Sequence, residues 1–523
     1  MIEKIIDYCA RNRFIVIVAY LLVIGAGING CAIARDAAGR GLSVALVDRG
    51  DLAGETSSAT SKLIHGGLRY LEHGEFRMVR ESLRERARLL KAAPHLVEPL
   101  RFVMPHDSDL RPRWMLRLGL WLYDRMGGAG AMPHARTLDL RRDPAGANLR
   151  SVWNRGFEFH DARTDDARLV LALARDAAAR GAQVWTRMEV RAARPLAGVW
   201  EVELQAQRPE GGGAAEKSFT IRAQAVVNAA GPWALSVAAR LAAAPPRGGL
   251  RLVQGTHLVV PRPYPERHAY LFQNADRRVV FFLPWGRSLA LLGTTDVLLQ
   301  GPPESARPHE VETDYLCNAA ARWMGEHAPR REAVLATFTG VRPLFDDGRG
   351  NPSRVSRDRR LRLDRTQPNA PLLHVLGGKL TTHRALAEEA VDLLAANFPA
   401  CGPAWTADAL LPGGGRTIPE LSRLLQTQVS GLSAATAEDL AARHGEEAFA
   451  VLRGALQVSD LGEELLPGFY ARELAWFVRE EWARTADDVL LRRTRLGWGL
   501  AAADRARISS ALTALQSAVP DRR

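Results

Sequence analysis

The stretch Leu21 to Asp48, LLVIGAGINGCAIARDAAGRGLSVALVD, decides the fold. An apolar run ending at Ile24 meets Gly25, Gly27 and Gly30. A helix of small residues follows to about Arg40, and a second apolar run, Val44 to Val47, closes on Asp48. This pattern predicts a βαβ unit. The first two glycines allow a tight turn and close backbone approach to a pyrophosphate, and the third lets helix and strand pack closely. The helix N-terminus offers amide dipoles to phosphate charge. Asp48 falls 18 residues beyond Gly30, where an acid can hold ribose hydroxyls. Strand, turn, helix, strand and acid together specify a dinucleotide site, where an isolated glycine motif would not.

The first residues compete with this reading. Phe14 to Ala34 carries no charge and is long enough to span a bilayer. Against a spanning helix stand the glycines, Asn29 and an acid at an offset for which a membrane helix has no use. Residues 1–28 also resemble the amphipathic start and first membrane segment of heavy-metal efflux pumps of the resistance-nodulation-division family, and residues 1–20 are read as an atypical extension.

With 523 residues, 47% hydrophobic and 24% charged, the chain can bury two or three cores. A net charge of +12, from 70 basic and 58 acidic residues, suits an anionic substrate or an anionic lipid surface. The arginines are dispersed and no nucleic-acid module accompanies them, so no nucleic-acid partner is expected. The four cysteines lie far apart, which argues against a metal site and for a reducing compartment.

Downstream, GETSSATSKLIHGGLRYLEH (Gly54 to His73) concentrates hydroxyls and glycines that can reach a pyrophosphate, with His65, Arg69 and Tyr70 facing a ring or substrate. Glu75 to Lys91 is predicted as an amphipathic helix with Phe76, Val79, Leu83, Ala87 and Leu90 inward and its arginines solvated. Leu110 to Tyr123 mixes arginines, leucines and two tryptophans, which fits either a core helix or a lipid interface. A helix is expected over Thr164 to Arg180 and a strand over Gln183 to Thr186. Val199 to Leu204 and Phe219 to Val227 read as a hairpin around residues 209–213, running into AVVNAAGPW (Ala225 to Trp233). Arg251 to Pro261, Val279 to Pro284 and Leu289 to Gly293 predict a second, antiparallel sheet carrying His257 and Asp296. In LLHVLGGKLTT (Leu372 to Thr382) a strand, two glycines and Lys379 precede a helix, so a helix N-terminus and a cation converge. Residues 416–523 read as helical, without chemistry of their own.

SSATSKLIHGGLRYLEH, VNAAGPW, GTHLVVPR, GTTD, GVRPL, GGKLTT, AWTADALLPGG, SDLGE and RRTRLG together resemble the FAD-dependent, quinone-linked glycerol-3-phosphate dehydrogenases of the glycine/D-amino-acid oxidase superfamily, from about Leu22 to near Trp498. The family pattern has three consecutive glycines where this chain has Gly25-Ala26-Gly27. The fold implied is α/β: a Rossmann-like FAD-binding domain (21–95, 155–245, 336–398), an inserted, mostly antiparallel substrate- and membrane-facing region (96–154, 246–335) that would roof the flavin, and a C-terminal helical domain (399–523). The activity implied is oxidation of sn-glycerol 3-phosphate to dihydroxyacetone phosphate, with electrons passed from FAD to a membrane quinone at the cytoplasmic face of the inner membrane. The resemblance makes the enzyme peripheral to the lipid surface and leaves a homodimer open.

The FAD-binding residues implied are Gly25, Gly27, Gly30, Asp48, Thr56, Ser57, Ser61, Leu63, Ala230, Gly231, Gly377, Gly378, Leu380 and Thr381. Arg69, Tyr70 and Arg357 would bind substrate, with Arg342 and Lys379 as further phosphate donors. His257 is the first candidate base, because an imidazole near its unperturbed pKa accepts a proton at neutral pH, and His65 the second. Arg342 would stabilise a developing alkoxide, and Lys379 the charge along N1 and O2 of a reduced flavin. The alternatives are an oxidase that uses oxygen and an inactive membrane-tethered chimera.

Overall fold

The computed structural model describes residues 18–127, 132–207, 218–241, 248–276, 278–346, 359–365 and 369–518. The chain divides into two compact units. The first comprises Met1–Ser58, Ala167–Arg251 and Pro343–Arg523, and the second Ala59–Asp166 and Leu252–Arg342.

In the first unit, β1 (Val18–Ile24), α1 (Ile28–Gly39) and β2 (Val44–Val47) form the expected βαβ. β1 lies between β2 and the strand Ser218–Asn228, parallel to both. Its neighbours on both sides therefore take its backbone hydrogen bonds, which excludes the membrane-helix reading of this segment. Among the described residues no helix is long and apolar enough to cross a membrane. The sheet continues with Leu372–Leu376 beyond Ser218–Asn228 and Gln183–Trp185 beyond β2, both parallel, while Arg360–Asp364 closes one edge antiparallel. Leu21, Leu22 and Val23 have no exposed surface, nor do Leu46 and Val47. A parallel sheet covered on both faces needs such unbroken apolar runs rather than alternation. The hairpin expected after residue 199 forms, pairing Leu204 with Phe219; its loop at 209–213 lies outside the described residues.

The C-terminal helices of this unit carry strong start signals. Thr417 and Glu420 form a capping box, and the Ser433 hydroxyl accepts from the Thr436 amide. Behind these helices lies a buried ionic network. Arg443 forks onto Glu473 (2.6 and 2.8 Å), His444 Nε2 meets Glu473 at 2.7 Å, and Arg168 forks onto Glu481 (2.5 and 3.0 Å).

The second unit is built on a sheet ordered Val297–Leu298, Gly249–Pro261, Leu289–Gly293, Val279–Trp285, Ala269–Gln273, Val97–Pro105, Arg155–Thr164, Leu63–Ile64. Its pairings are antiparallel except that of Ala269–Gln273 with Val97–Pro105. Arg155–Thr164, read from sequence at the return to the dinucleotide domain, pairs along its length with Val97–Pro105 in this sheet. Tyr270, Phe272, Phe282 and Trp323 fill its core. The helix Phe76–Ala92 buries Val79, Leu83 and Leu89, but Phe76 is half exposed. Its arginines are not all solvated either: Arg86 is buried against Asp161 at 2.5 Å, and Tyr123 donates to the same carboxylate at 2.8 Å.

The C-terminal network sets an acid limit. Burial alone would raise the carboxyls of Glu473 and Glu481, but Arg443 with His444, and Arg168, outweigh it and hold each at about 2 against an ordinary 4.5. Their contribution is complete above about pH 4.5 and is lost as pH falls towards 2. Melting temperature should therefore fall steeply across that interval, and Glu473→Gln should flatten the fall while lowering stability at neutral pH. A variant with an unchanged acid profile would contradict this.

Candidate active site

In the first unit the glycine turn is a cradle that side chains would fill. Gly25 has φ +102°, and a Cβ there would lie 2.6 Å from Ala229 O and 2.9 Å from Ala230 Cα. A Cβ on Gly30 would lie 1.8 Å from Gly25 O, and one on Gly27 2.9 Å from Ser57 Oγ. The Ser57 hydroxyl accepts from the Ile28 amide at 2.9 Å, in the first turn of α1, which carries no acidic residue. Thr56 opens the short helical turn that places Ser57. Asp48 accepts from Ala26 N at 2.6 Å and Gly50 N at 2.7 Å, so its carboxylate is clamped at the end of β2, with burial pushing its pKa up.

Two further segments meet this turn. Ala230 N donates to Asn228 Oδ1 at 3.3 Å, and Gly231 adopts φ +54° with open space where a side chain would be. Gly377 and Gly378 have φ +77° and +99° and lead into the turn Leu380–Thr382 and then the helix His383–Ala395. Asn29 Nδ2 donates to Gly377 O at 3.3 Å, while its buried Oδ1 accepts no hydrogen bond among the described residues. Lys379 is half buried at that helix start. Backbone approach without side chains, an unfilled acceptor, a helix N-terminus free of acid and a ribose-range carboxylate are what FAD requires.

The second unit gathers the reactive side chains. His257 is buried; its Nε2 lies 2.9 Å from Ser61 Oγ, its ring stacks on Phe338 at 4.9 Å, and its buried Nδ1 makes no hydrogen bond among the described residues. Burial, then the positive charges of Arg342 and Lys62, lower its pKa to about 3. It is therefore a neutral imidazole at working pH, not the near-neutral titrating group expected from sequence. Arg342 is fixed by Thr294 Oγ1 and Thr295 O, both at 3.1 Å, and pairs with Asp296. Gly255 makes room for it, since a Cβ there would sit 2.2 Å from Arg342 Nη2. Lys62 is buried and forks onto Asp166 at 2.8 and 3.0 Å, with Thr60 Oγ1 on the same carboxylate at 2.6 Å.

Of the remaining candidates, Leu63 is a buried strand residue of this unit. His65 and Tyr70 are half buried and Arg69 is exposed. The glycine pair between them is required by packing: a Cβ on Gly66 would lie 2.6 Å from Leu83 Cδ2 and 2.7 Å from Tyr123 OH, and one on Gly67 would strike the Tyr70 ring at 2.3 Å. Arg357 lies outside the described residues. Ser61, a cofactor candidate in the sequence, places its hydroxyl 2.9 Å from His257 Nε2. Lys62 and Asp166 are passed over in the sequence reading, which also gives Asn29 and Asp296 no part in the site. GTTD was visible as a motif, but its link to Arg342 is a contact across strands that spacing does not reveal.

The FAD dependent oxidoreductase (DAO) family model matches residues 21–378, and the model for the C-terminal domain of alpha-glycerophosphate oxidase matches 404–518. The chain is 46% identical to D-erythritol 1-phosphate dehydrogenase of Brucella abortus, over 93% of this chain and 96% of that protein. It is 45% identical to glycerol-3-phosphate dehydrogenase of Pseudomonas aeruginosa (94% and 94%) and 43% identical to the aerobic glycerol-3-phosphate dehydrogenase of Escherichia coli K12 (94% and 96%). The crystal structure of glycerol-3-phosphate dehydrogenase from Bacillus halodurans complexed with FAD superposes with a TM-score of 0.74 at 25% identity, covering 98% of this chain and 97% of that one. The efflux-pump likeness of residues 1–28 finds no support in these matches. On this sequence match and this cradle, the chain belongs to the FAD dependent oxidoreductase (DAO) family, with a C-terminal domain of the alpha-glycerophosphate oxidase type.

Proposed function

We propose that this chain oxidises sn-glycerol 3-phosphate to dihydroxyacetone phosphate and passes the electrons to a membrane quinone from the cytoplasmic face of the inner membrane. The observation that carries the reading is Arg342, fixed by Thr294, Thr295 and Asp296 in the same unit as a buried, neutral His257. FAD, when bound, supplies the two-electron acceptor for the hydride that leaves C2. His257 is already in the form that accepts a proton, and Ser61 Oγ at 2.9 Å from Nε2 holds the ring in place. Arg342 stabilises the oxygen as negative charge develops on it. Arg69, Tyr70 and Arg357 take the phosphate, and Lys379 stabilises negative charge on the reduced flavin. His65 is the second candidate base.

A second substrate has a specific observation behind it. The relative that acts on D-erythritol 1-phosphate is as similar as those that act on glycerol 3-phosphate. Anaerobic flavin bleaching by each phosphate, and by glycerol, decides between them. Bleaching by glycerol 3-phosphate with stoichiometric dihydroxyacetone phosphate is expected. Bleaching only by the tetritol phosphate would move the assignment, and bleaching by neither would overturn it. Reoxidation by a soluble quinone analogue should outpace that by oxygen; stoichiometric peroxide would indicate an oxidase instead.

Three substitutions separate the roles. Gly27→Val should abolish flavin binding, because the branched side chain displaces Ser57 and fills the pyrophosphate space; an intact flavin spectrum would contradict the site. His257→Asn should slow anaerobic flavin reduction by about a hundred to ten thousand fold with little change in product affinity. Arg357→Ala should raise the Michaelis constant and erase most of the preference over glycerol, since a charge-assisted bond to phosphate is worth roughly 1.5–3 kcal/mol.

The lipid-facing element proposed is the helix Arg113–Met126. Trp114, Leu118 and Trp121 are 69%, 48% and 50% exposed at helical spacing, among the exposed Arg113, Arg117 and Arg125. Tryptophan and arginine on one surface match a headgroup layer of anionic lipid. Trp114→Ser with Trp121→Ser should release the protein from anionic vesicles while leaving flavin reduction unchanged; retained sedimentation with the vesicles would place the contact elsewhere.

A further inference from the structure

The loop that follows β2 carries Asp48, and its geometry is fixed by residues near the other end of the chain. Asp51 has a side chain only 3% exposed. It accepts both Nη atoms of Arg493, one at 2.9 Å, and Arg492 Nε at 2.6 Å. The Arg493 side chain is wholly buried, and its Nη2 also donates to Glu481 O. Arg492 Nη2 reaches Asp488 at 2.5 Å, and Asp488 in turn holds Arg187 Nη2 at 2.7 and 2.9 Å. The Arg187 amide donates to Gly50 O at 2.8 Å, and the next amide, Met188 N, donates to Asp48 O at 2.7 Å. Arg495, at φ +63°, extends Nη1 to Ser58 O at 3.3 Å, beside Ser57.

A ring of charges, Asp51, Arg492, Asp488 and Arg187, thus closes on the backbone of Asp48 and Gly50, and Gly50 N is one of the two donors that clamp the Asp48 carboxylate. Buried charges of this kind hold their geometry only when every partner is present, because an orphaned one must be resolvated. Two cofactor loops are pinned by one short segment, Asp488–Arg495, of a domain that carries no cofactor motif. We propose that this segment is a positioning device for the adenosine half of the dinucleotide: acting through Asp51, it sets the Asp48 carboxylate and so governs how tightly FAD is held. The proposal rests on the FAD site described above.

The test uses the full-length chain stripped of flavin and titrated with FAD, following flavin fluorescence. Arg492→Ala and Asp51→Asn should each raise the dissociation constant for FAD by about tenfold or more, the range set by loss of one charge-assisted hydrogen bond. At saturating FAD, kcat and the Michaelis constant for glycerol 3-phosphate should stay at wild-type values. Arg492→Lys, which keeps the charge, should recover part of the affinity, whereas Arg493→Lys should not, because a point charge cannot replace the fork on Asp51. Arg443→Gln is the control: it breaks the ion pair with Glu473 in the same helical domain, and should lower the melting temperature without changing FAD affinity. FAD affinity within twofold of wild type in Arg492→Ala and Asp51→Asn overturns the proposal, as does an equal loss of affinity in Arg443→Gln. A wild-type chain that binds no FAD would overturn the FAD reading itself and this inference with it, so the two failures are distinguishable.

Discussion

Backbone crosses backbone at Gly25 and Gly30, and the crossing exists only because neither residue has a side chain. A Cβ at either position would fall within 2.6 Å of a carbonyl oxygen, Ala229 O for Gly25 and Gly25 O for Gly30. From that contact follows the close packing of α1 on β1, the parallel placement of Ser218–Asn228 against β1, and the approach of Ala230 and Asn29 to the same turn. The parallel sheet then needs no chemistry of its own. It brings the ends of β1, β2, Ser218–Asn228 and Leu372–Leu376 to one edge, where ligands bind in open α/β sheets.

The second organising force is paired charge. A net charge of +12 reads in the sequence as a property of the surface, yet Arg86, Arg168, Arg443 and Arg493 are buried, each on a carboxylate. Lys62 on Asp166 is the same device in the second unit. Such pairs contribute little net stability compared with apolar replacements, but breaking one partner is costly, so they act as geometric fasteners. In the second unit burial, then Arg342 and Lys62, keep His257 uncharged against the opposing charge of Asp166.

What was legible in the sequence was local. The strand–glycine–helix signal, the antiparallel runs around His257 and the turn at Gly377 and Gly378 are each encoded within a dozen or so residues, by apolar period and backbone freedom. What was not legible depends on partners distant in the chain. Nothing near Asp51 announces Arg493, 442 residues away, and nothing near His257 announces Ser61, 196 residues away. The helix Phe76–Ala92 shows the same limit: its apolar period put its arginines outward, and only the position of Asp161 explains why Arg86 is inside.

The reaction proposed is hydride transfer from C2 of a polyol phosphate to FAD while side chains of this chain accept the hydroxyl proton. Stopped-flow mixing of the oxidised, FAD-loaded protein with glycerol 3-phosphate deuterated at C2, in the absence of oxygen, tests it most directly. Complete flavin bleaching is expected, slower by a clear primary isotope effect than with the unlabelled substrate. Bleaching at the same rate with label at C2, but slowed by label at C1, would contradict it.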